Sequence, residues 1–142
     1  MHFSEAMRSV TRHGEHWQAT VSEDWLQGRS AFGGLQAALA LRAMRELVPA
    51  DMPLRSLQVT FIAPVPAGNV AIRAQCLRAG RSVIQVEASL CDGEQTLCRL
   101  LGVFGSARPS ALDIQPEQPP VVAMAPQELR YVEGRMPAFT QH

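Results

Sequence analysis

From Ala31 to about Val48 the chain is rich in Ala, Leu, Met, Gln, Arg and Glu and contains no proline, until Pro49 and then Asp51-Met52-Pro53 end the run. Residues of this kind lose little on entering a helix, and a proline cannot continue one. The periodicity constrains the fold more than the propensity does. At about 100° per residue, Arg42, Arg45 and Glu46 gather on one narrow side, while Ala37, Ala40, Leu41, Ala43, Met44 and Leu47 take up the rest. An apolar arc this wide belongs to a helix surrounded by protein, as when a sheet wraps around it. Gln36 falls inside the arc, in the first turn, where a polar group needs a partner.

The flanking segments supply the sheet. Residues 16–22 alternate loosely and predict a short first strand, followed by a turn from Asp24 to Arg29 in which Gly28 suits a strained backbone position. After the helix come four stretches of strand character, Ser56–Ile62, Val70–Leu77, Ser82–Leu90 and Gln95–Phe104. In the first, Leu57, Val59 and Phe61 share one face and Gln58 and Thr60 the other; in the third, Ile84, Val86, Ala88 and Leu90 oppose Gln85, Glu87 and Ser89. Asp92-Gly93 between apolar runs is the strongest hairpin signal in the chain. The last strand is apolar on both faces apart from Arg99, which predicts a central place in the sheet, and its Gly102 predicts a bulge or a close backbone approach. A strand, a long buried helix and an antiparallel meander make an α+β domain. From Arg108 the pattern stops, and six of the ten prolines fall at 109, 116, 119, 120, 126 and 137. That stretch reads as a linker.

Composition removes several classes of function. Thirteen basic residues balance thirteen acidic ones, so no net field draws the chain to nucleic acid or an anionic membrane. Every basic residue is Arg; without Lys there is no Schiff-base or P-loop lysine chemistry. Cys76, Cys91 and Cys98 have no CxxC spacing and read as half-buried strand residues, not as a zinc site or a disulfide framework. With neither a signal-peptide pattern at the start nor a membrane-length apolar run, the expected compartment is the cytoplasm.

The segment Gly28-Arg29-Ser30-Ala31-Phe32-Gly33-Gly34 leading into an Ala/Leu-rich helix resembles the acyl-CoA thioesterase II family, the TesB-like double-hotdog proteins. Arg55-Ser56-Leu57-Gln58-Val59-Thr60-Phe61 followed by Pro64, and Leu77-Arg78-Ala79-Gly80-Arg81-Ser82, resemble that family's second strand and its turn between strands three and four. The resemblance covers about residues 17–107 and implies the hotdog fold, a curved antiparallel sheet around one central helix. It implies a hotdog domain over 1–107, then over 108–142 a Pro-rich linker and, at Pro137-Ala138-Phe139-Thr140-Gln141-His142, the opening of a second hotdog that the sequence lacks. Catalytic Asp, Thr and Gln of the best-known members belong to that second half and match no position here.

For this half the resemblance implies a thioester site at the helix start. Unpaired N–H groups and the positive dipole end make it a place for a developing oxyanion. Backbone amides of Gly33 and Gly34 are the candidate donors, a role worth on the order of 3–4 kcal/mol in well-studied enzymes. The other reading is that small residues let the helix begin close to the sheet. Gln36 either orients water or the carbonyl or is a satisfied core amide. Phe32 stands where related single-hotdog thioesterases carry a His, and Leu41 where they carry an acid. Glu46, the first carboxylate of the helix, reads as solvated, and Asp24 as a turn cap. Phe32 and Phe61 are candidate substrate contacts, Phe61 with Met44 as acyl-tunnel lining or as core. Arg78 and Arg81 either meet coenzyme A phosphates or border a solvated turn.

The expected function is hydrolysis of acyl-CoA to free acid and CoA, with no metal or redox cofactor implied. Hotdog hydratases need a His near the helix start, and none occurs between His16 and His142. The competing reading is a non-catalytic acyl-CoA-binding or assembly domain. A lone hotdog exposes an edge strand, which predicts a homodimer, or pairing with a second hotdog, edge to edge.

Overall fold

A computed structural model describes residues 1–112 and 114–118. Beyond the extended stretch after Arg108, the expected linker and the opening of a second hotdog lie outside the described residues. The elements run α1 (Phe3–Ser9), β1 (Thr11–His13), β2 (His16–Val21), a 3-10 turn (Glu23–Trp25), β3 (Leu26–Gln27), β4 (Ser30–Ala31), α2 (Gly33–Arg45), β5 (Leu54–Phe61), β6 (Gly68–Ala79), β7 (Val83–Asp92) and β8 (Gln95–Gly105).

Six of the strands form one antiparallel sheet in the order β1-β2-β6-β7-β8-β5, and α2 packs against its β6, β7 and β8 region. The fold is the α+β hotdog. Leu35, Leu39, Ala40, Ala43 and Met44 turn the buried face of α2 to Ile72, Val86, Leu90, Leu100 and Phe104 of the sheet. Ala37, Ala38 and Leu41 on its other flank are only half-buried. The helix is shorter than its composition predicts. Phe32 is still extended (φ −51°, ψ 131°) and residues after Arg45 turn toward Pro49.

Two hairpins use glycine where the left-handed region is needed. Gln95 pairs with Asp92 across Gly93-Glu94 (Gly93 φ 56°), and Ser30 pairs with Gln27 across Gly28-Arg29 (Gly28 φ 68°). In the sequence the second hairpin shows only as a turn. Its function is to carry Ser30 to the start of α2.

β8 does lie inside the sheet, between β7 and β5. One face is covered throughout, with Cys98, Leu100, Gly102 and Phe104 buried; on the other, Leu97 and Gly105 are buried while Arg99 and Leu101 are open to solvent. Gly102 is a close approach, since a Cβ there would stand 3.2 Å from Met44 Cε and 3.1 Å from Phe104 Cε2.

α1 and β1 have no counterpart in the sequence reading. α1 spans only seven residues with Ala6 as its buried contact, and all three residues of β1 are exposed, so neither leaves a periodic signal. They dock the amino-terminal segment: Trp25 Nε1 donates to the Met1 carbonyl (2.8 Å), and Asp24 accepts from the Met1 amino group and the Ser22 hydroxyl. Glu46 is exposed, as its reading as a solvated carboxylate expects, but it is also bonded. It accepts the Trp17 indole N–H (2.8 Å) and pairs with Arg42 (3.2 Å), tying β2 to the end of α2.

The three cysteines lie in strands, Cys76 exposed and Cys91 and Cys98 fully buried. Burial pushes the Cys98 thiol up to about 11. At pH 8 a thiol reagent is expected to modify Cys76 alone in the folded protein and all three in denaturant, counted by intact mass; labelling of Cys98 without denaturant would contradict its burial.

Candidate active site

α2 begins without a side-chain cap and without an acid in its first turn. The first backbone N–H to find an acceptor is that of Gln36, bonded to the Phe32 carbonyl at 3.1 Å. The N–H groups of Gly33, Gly34 and Leu35 have no partner among the described residues. They are the orphan donors of a helix start, carrying its positive dipole end.

Both glycines are also packing residues. A Cβ on Gly33 would stand 2.8 Å from Phe61 Cζ, and one on Gly34 would stand 2.5 Å from Phe32 Cε1. The two aromatic rings thus lie directly on the first turn of α2. The two sequence readings of Gly33-Gly34 therefore coexist: small residues admit the rings, and the free amides remain.

Beside this turn is a cavity of about 380 Å³ lined by Gln27, Ser30, Gly33, Gln36, Phe61 and Pro64, among others. Gln36 is 3% exposed, and its Nε2 donates to the Ala31 carbonyl (2.6 Å) and toward Ser30 Oγ (3.3 Å). Its Oε1 is buried and accepts nothing among the described residues. Gln36 is thus a core amide on its donor side only. Ser30 is fixed as well, since its Oγ accepts the Val65 N–H at 3.1 Å. Sequence reasoning misses Ser30 and Gln27 as site residues; the one signal for Ser30 is its place inside the Gly28–Gly34 motif.

The predicted residues are only partly brought together. Gly33, Gly34, Gln36, Phe32 and Phe61 share the helix start. Met44 is fully buried at the far end of α2, against Gly102, and does not extend the cavity. Arg78 and Arg81 lie at the β6–β7 hairpin, on a separate hollow with Gly80, Ser82 and Arg108. Phe61 pairs with Cys98, whereas Leu54, Phe104, Ile84 and Ala79 form the row beside that hairpin. Seven residues of strand, roughly 23 Å, separate the two rows.

The acyl-CoA thioesterase N-terminal domain family matches residues 21–105. The chain belongs to this family. A hot dog fold protein of unknown function from Alicyclobacillus acidocaldarius is similar over 99% of this chain and 53% of its own, with a TM-score of 0.82 and 23% identity. A Thermobifida fusca protein proposed as a thioesterase II matches 83% of this chain and 45% of its own (TM-score 0.67, 21% identity), and the tesB protein of Mycobacterium avium subsp. paratuberculosis 84% and 49% (TM-score 0.66, 18% identity). This thioesterase-family chain therefore spans about half the length of those solved proteins. No curated protein matches it. No helix among the described residues is long and apolar enough to cross a membrane.

Proposed function

We propose that this domain hydrolyses acyl-CoA thioesters at the start of α2, as one half of a site completed by a second hotdog. The observation that carries the reading is the orphan Gln36 Oε1 beside the uncapped helix start. A buried acceptor without a donor costs about 1–3 kcal/mol, and such groups persist where they serve a ligand. In this reading the thioester carbonyl oxygen takes the free N–H groups of Gly33 or Gly34. Water held by Gln36 Oε1 attacks the carbonyl carbon, the C–S bond breaks, and the proton lost by water ends on the CoA thiolate. Phe61 and Phe32 cover the acyl end. The likeness to the tesB protein and to a Bacillus halodurans protein whose structure contains CoA (17% identity, TM-score 0.56) supports acyl-CoA as the substrate class.

None of the residues lining the cavity is ionisable, so the base must come from outside this chain's half. That same observation favours a second reading, an acyl-CoA-binding domain whose partner brings the chemistry. An assay of the purified chain across short and long acyl-CoAs separates them. Turnover that disappears on Gly34→Val supports hydrolysis; tight binding with no turnover supports the binding domain.

Pairing is expected through β5. β1 at the other edge has three residues, whereas β5 offers eight, with a single charge, Arg55, and with Phe61 and the adjoining Ile62 more than half exposed. The half-buried flank of α2 calls for the same neighbour. Light scattering at micromolar concentration is expected to give the mass of a dimer; a monomer would contradict edge pairing.

A further inference from the structure

Ser89 is only 8% exposed, yet its side chain points away from the core. Its neighbours in β7, Ala88 and Leu90, belong to the core under α2, and successive side chains of a strand alternate between faces. The Ser89 hydroxyl makes no hydrogen bond among the described residues. A buried polar group left in this state needs a partner.

The strand register supplies its surroundings. Directly paired residues share a face, and Ser89 is paired with Arg73 on β6 and with Arg99 on β8; His16 on β2 continues the row. The two arginines start two strand spacings apart, roughly 10 Å, with only the small serine between them. Ser89, Arg73, Arg99 and Thr96 line a cavity of about 770 Å³ that runs on past the end of β2 toward Trp17 and Leu47. Arg73 gives one N–H to the Gly93 carbonyl (3.0 Å) and keeps its other donors. Arg99 has no hydrogen bond or ion pair among the described residues. Guanidinium forks on two sides of an unpaired hydroxyl suit the oxygens of an anion.

The remaining charged groups on the lining narrow its chemistry. Arg12 lies over the Trp17 ring (5.0 Å), and Glu15 is in the β1–β2 turn. Glu87 stands on the same face as Ser89, two residues back along β7 or about 7 Å. It is half-buried, and the Gln75 amide reaches it only at 3.5 Å. A fully ionised anion over Ser89 is repelled by this carboxylate, whereas one that keeps a proton donates it there.

We propose that the face of the sheet opposite α2 binds a small oxyanion that retains a proton, of the hydrogen-phosphate type. Arg73 and Arg99 hold it from two sides, the Ser89 hydroxyl bonds one oxygen, and Glu87 accepts the proton of another. This site is separate from the α2 start and depends neither on thioester hydrolysis nor on pairing of chains.

Calorimetric titration of the whole chain at pH 7.5 and constant ionic strength tests it, with inorganic phosphate and sulfate as the probes. Sulfate has the same shape but carries no proton at that pH. The wild type is expected to bind one phosphate per chain, at least tenfold more tightly than sulfate. Arg99→Gln should weaken phosphate at least tenfold and Ser89→Ala severalfold. Glu87→Gln should abolish the preference for phosphate over sulfate, a change that a loss of structure or a diffuse basic surface does not produce. Arg78→Gln/Arg81→Gln, at the β6–β7 hairpin, should bind as the wild type does. No saturable binding, equal affinity for the two anions, or a phosphate affinity lowered at the hairpin but not by Arg99→Gln would overturn the proposal. Arg99→Lys, which keeps the charge and loses the fork, replaces Arg99→Gln if that variant does not fold.

Discussion

Gln36→Leu is expected to lower kcat for acyl-CoA hydrolysis by about a hundredfold, the scale seen when one group aimed at the reacting carbonyl is removed, with little loss of stability. The two effects separate because Gln36 is half satisfied. Its Nε2 is bound to the Ala31 carbonyl at 2.6 Å, while Oε1 is buried with no partner among the described residues. Leucine removes two hydrogen bonds, to the Ala31 carbonyl and the longer one to Ser30 Oγ, worth about 1 kcal/mol each, and relieves an orphan acceptor costing about 1–3 kcal/mol. The melting temperature should therefore stay within a few degrees of the wild type, or rise. A polar group kept at the expense of stability is the mark of a functional site. Steady-state kinetics with thermal denaturation on the same preparation checks both. A variant that melts far below the wild type, or that keeps full kcat, would return Gln36 to the core.

The largest effect on stability is expected from Gly102→Val, at about 3 kcal/mol or more, the upper range for overpacking a core. The first added carbon already meets Met44 Cε at 3.2 Å and Phe104 Cε2 at 3.1 Å. Both side chains are fully buried and held between β8 and α2, so neither has space to withdraw into. The branched methyls of valine then push α2 off the sheet. For a chain of this size the melting temperature should fall by roughly 10 °C, measured by calorimetry. Gly102→Ala is expected to cost less, since one carbon asks for a shift of only tenths of an ångström. A neutral Gly102→Val would mean that α2 does not sit against β8 as described.

Much of this architecture is legible in the sequence because the code for it is periodic. The strands from Leu54 to Gly105 alternate with period two, and the apolar arc of α2 exceeds what a surface helix carries. The exceptions are elements too short to show a period. α1 and β1 hold by a buried Ala6, a carbonyl of Met1 and backbone pairing, none of which a pattern can reveal. Composition makes α2 too long at both ends. Its limits at Phe32 and Glu46 are imposed by the neighbouring chain, the β3–β4 hairpin on one side and Pro49 on the other. At the site, the Phe32-Gly33-Gly34 motif and Gln36 are readable as a helix mouth. Ser30 is not, because its role depends on the β3–β4 hairpin bringing its hydroxyl to Gln36. Nor can distance be read: Arg78 and Arg81 suit phosphate by chemistry, but only the strand register puts them at the opposite end of the sheet.

The chain has two tryptophans, and each is tied to a different end of α2. The carbonyl of Trp25 accepts the Phe32 N–H (2.9 Å) just ahead of the first turn, and the indole of Trp17 donates to Glu46 just past the last. Both indoles are buried and hydrogen-bonded, so each emits from a fixed environment of its own. The molecule therefore carries an optical reporter at each end of its central rod. With Trp17 replaced by Phe, the remaining emission tracks events at the helix mouth; with Trp25 replaced, it tracks the anchorage of the opposite end. A ligand settling on the first turn and a loosening of the whole domain would then differ in colour and timing, without any added dye.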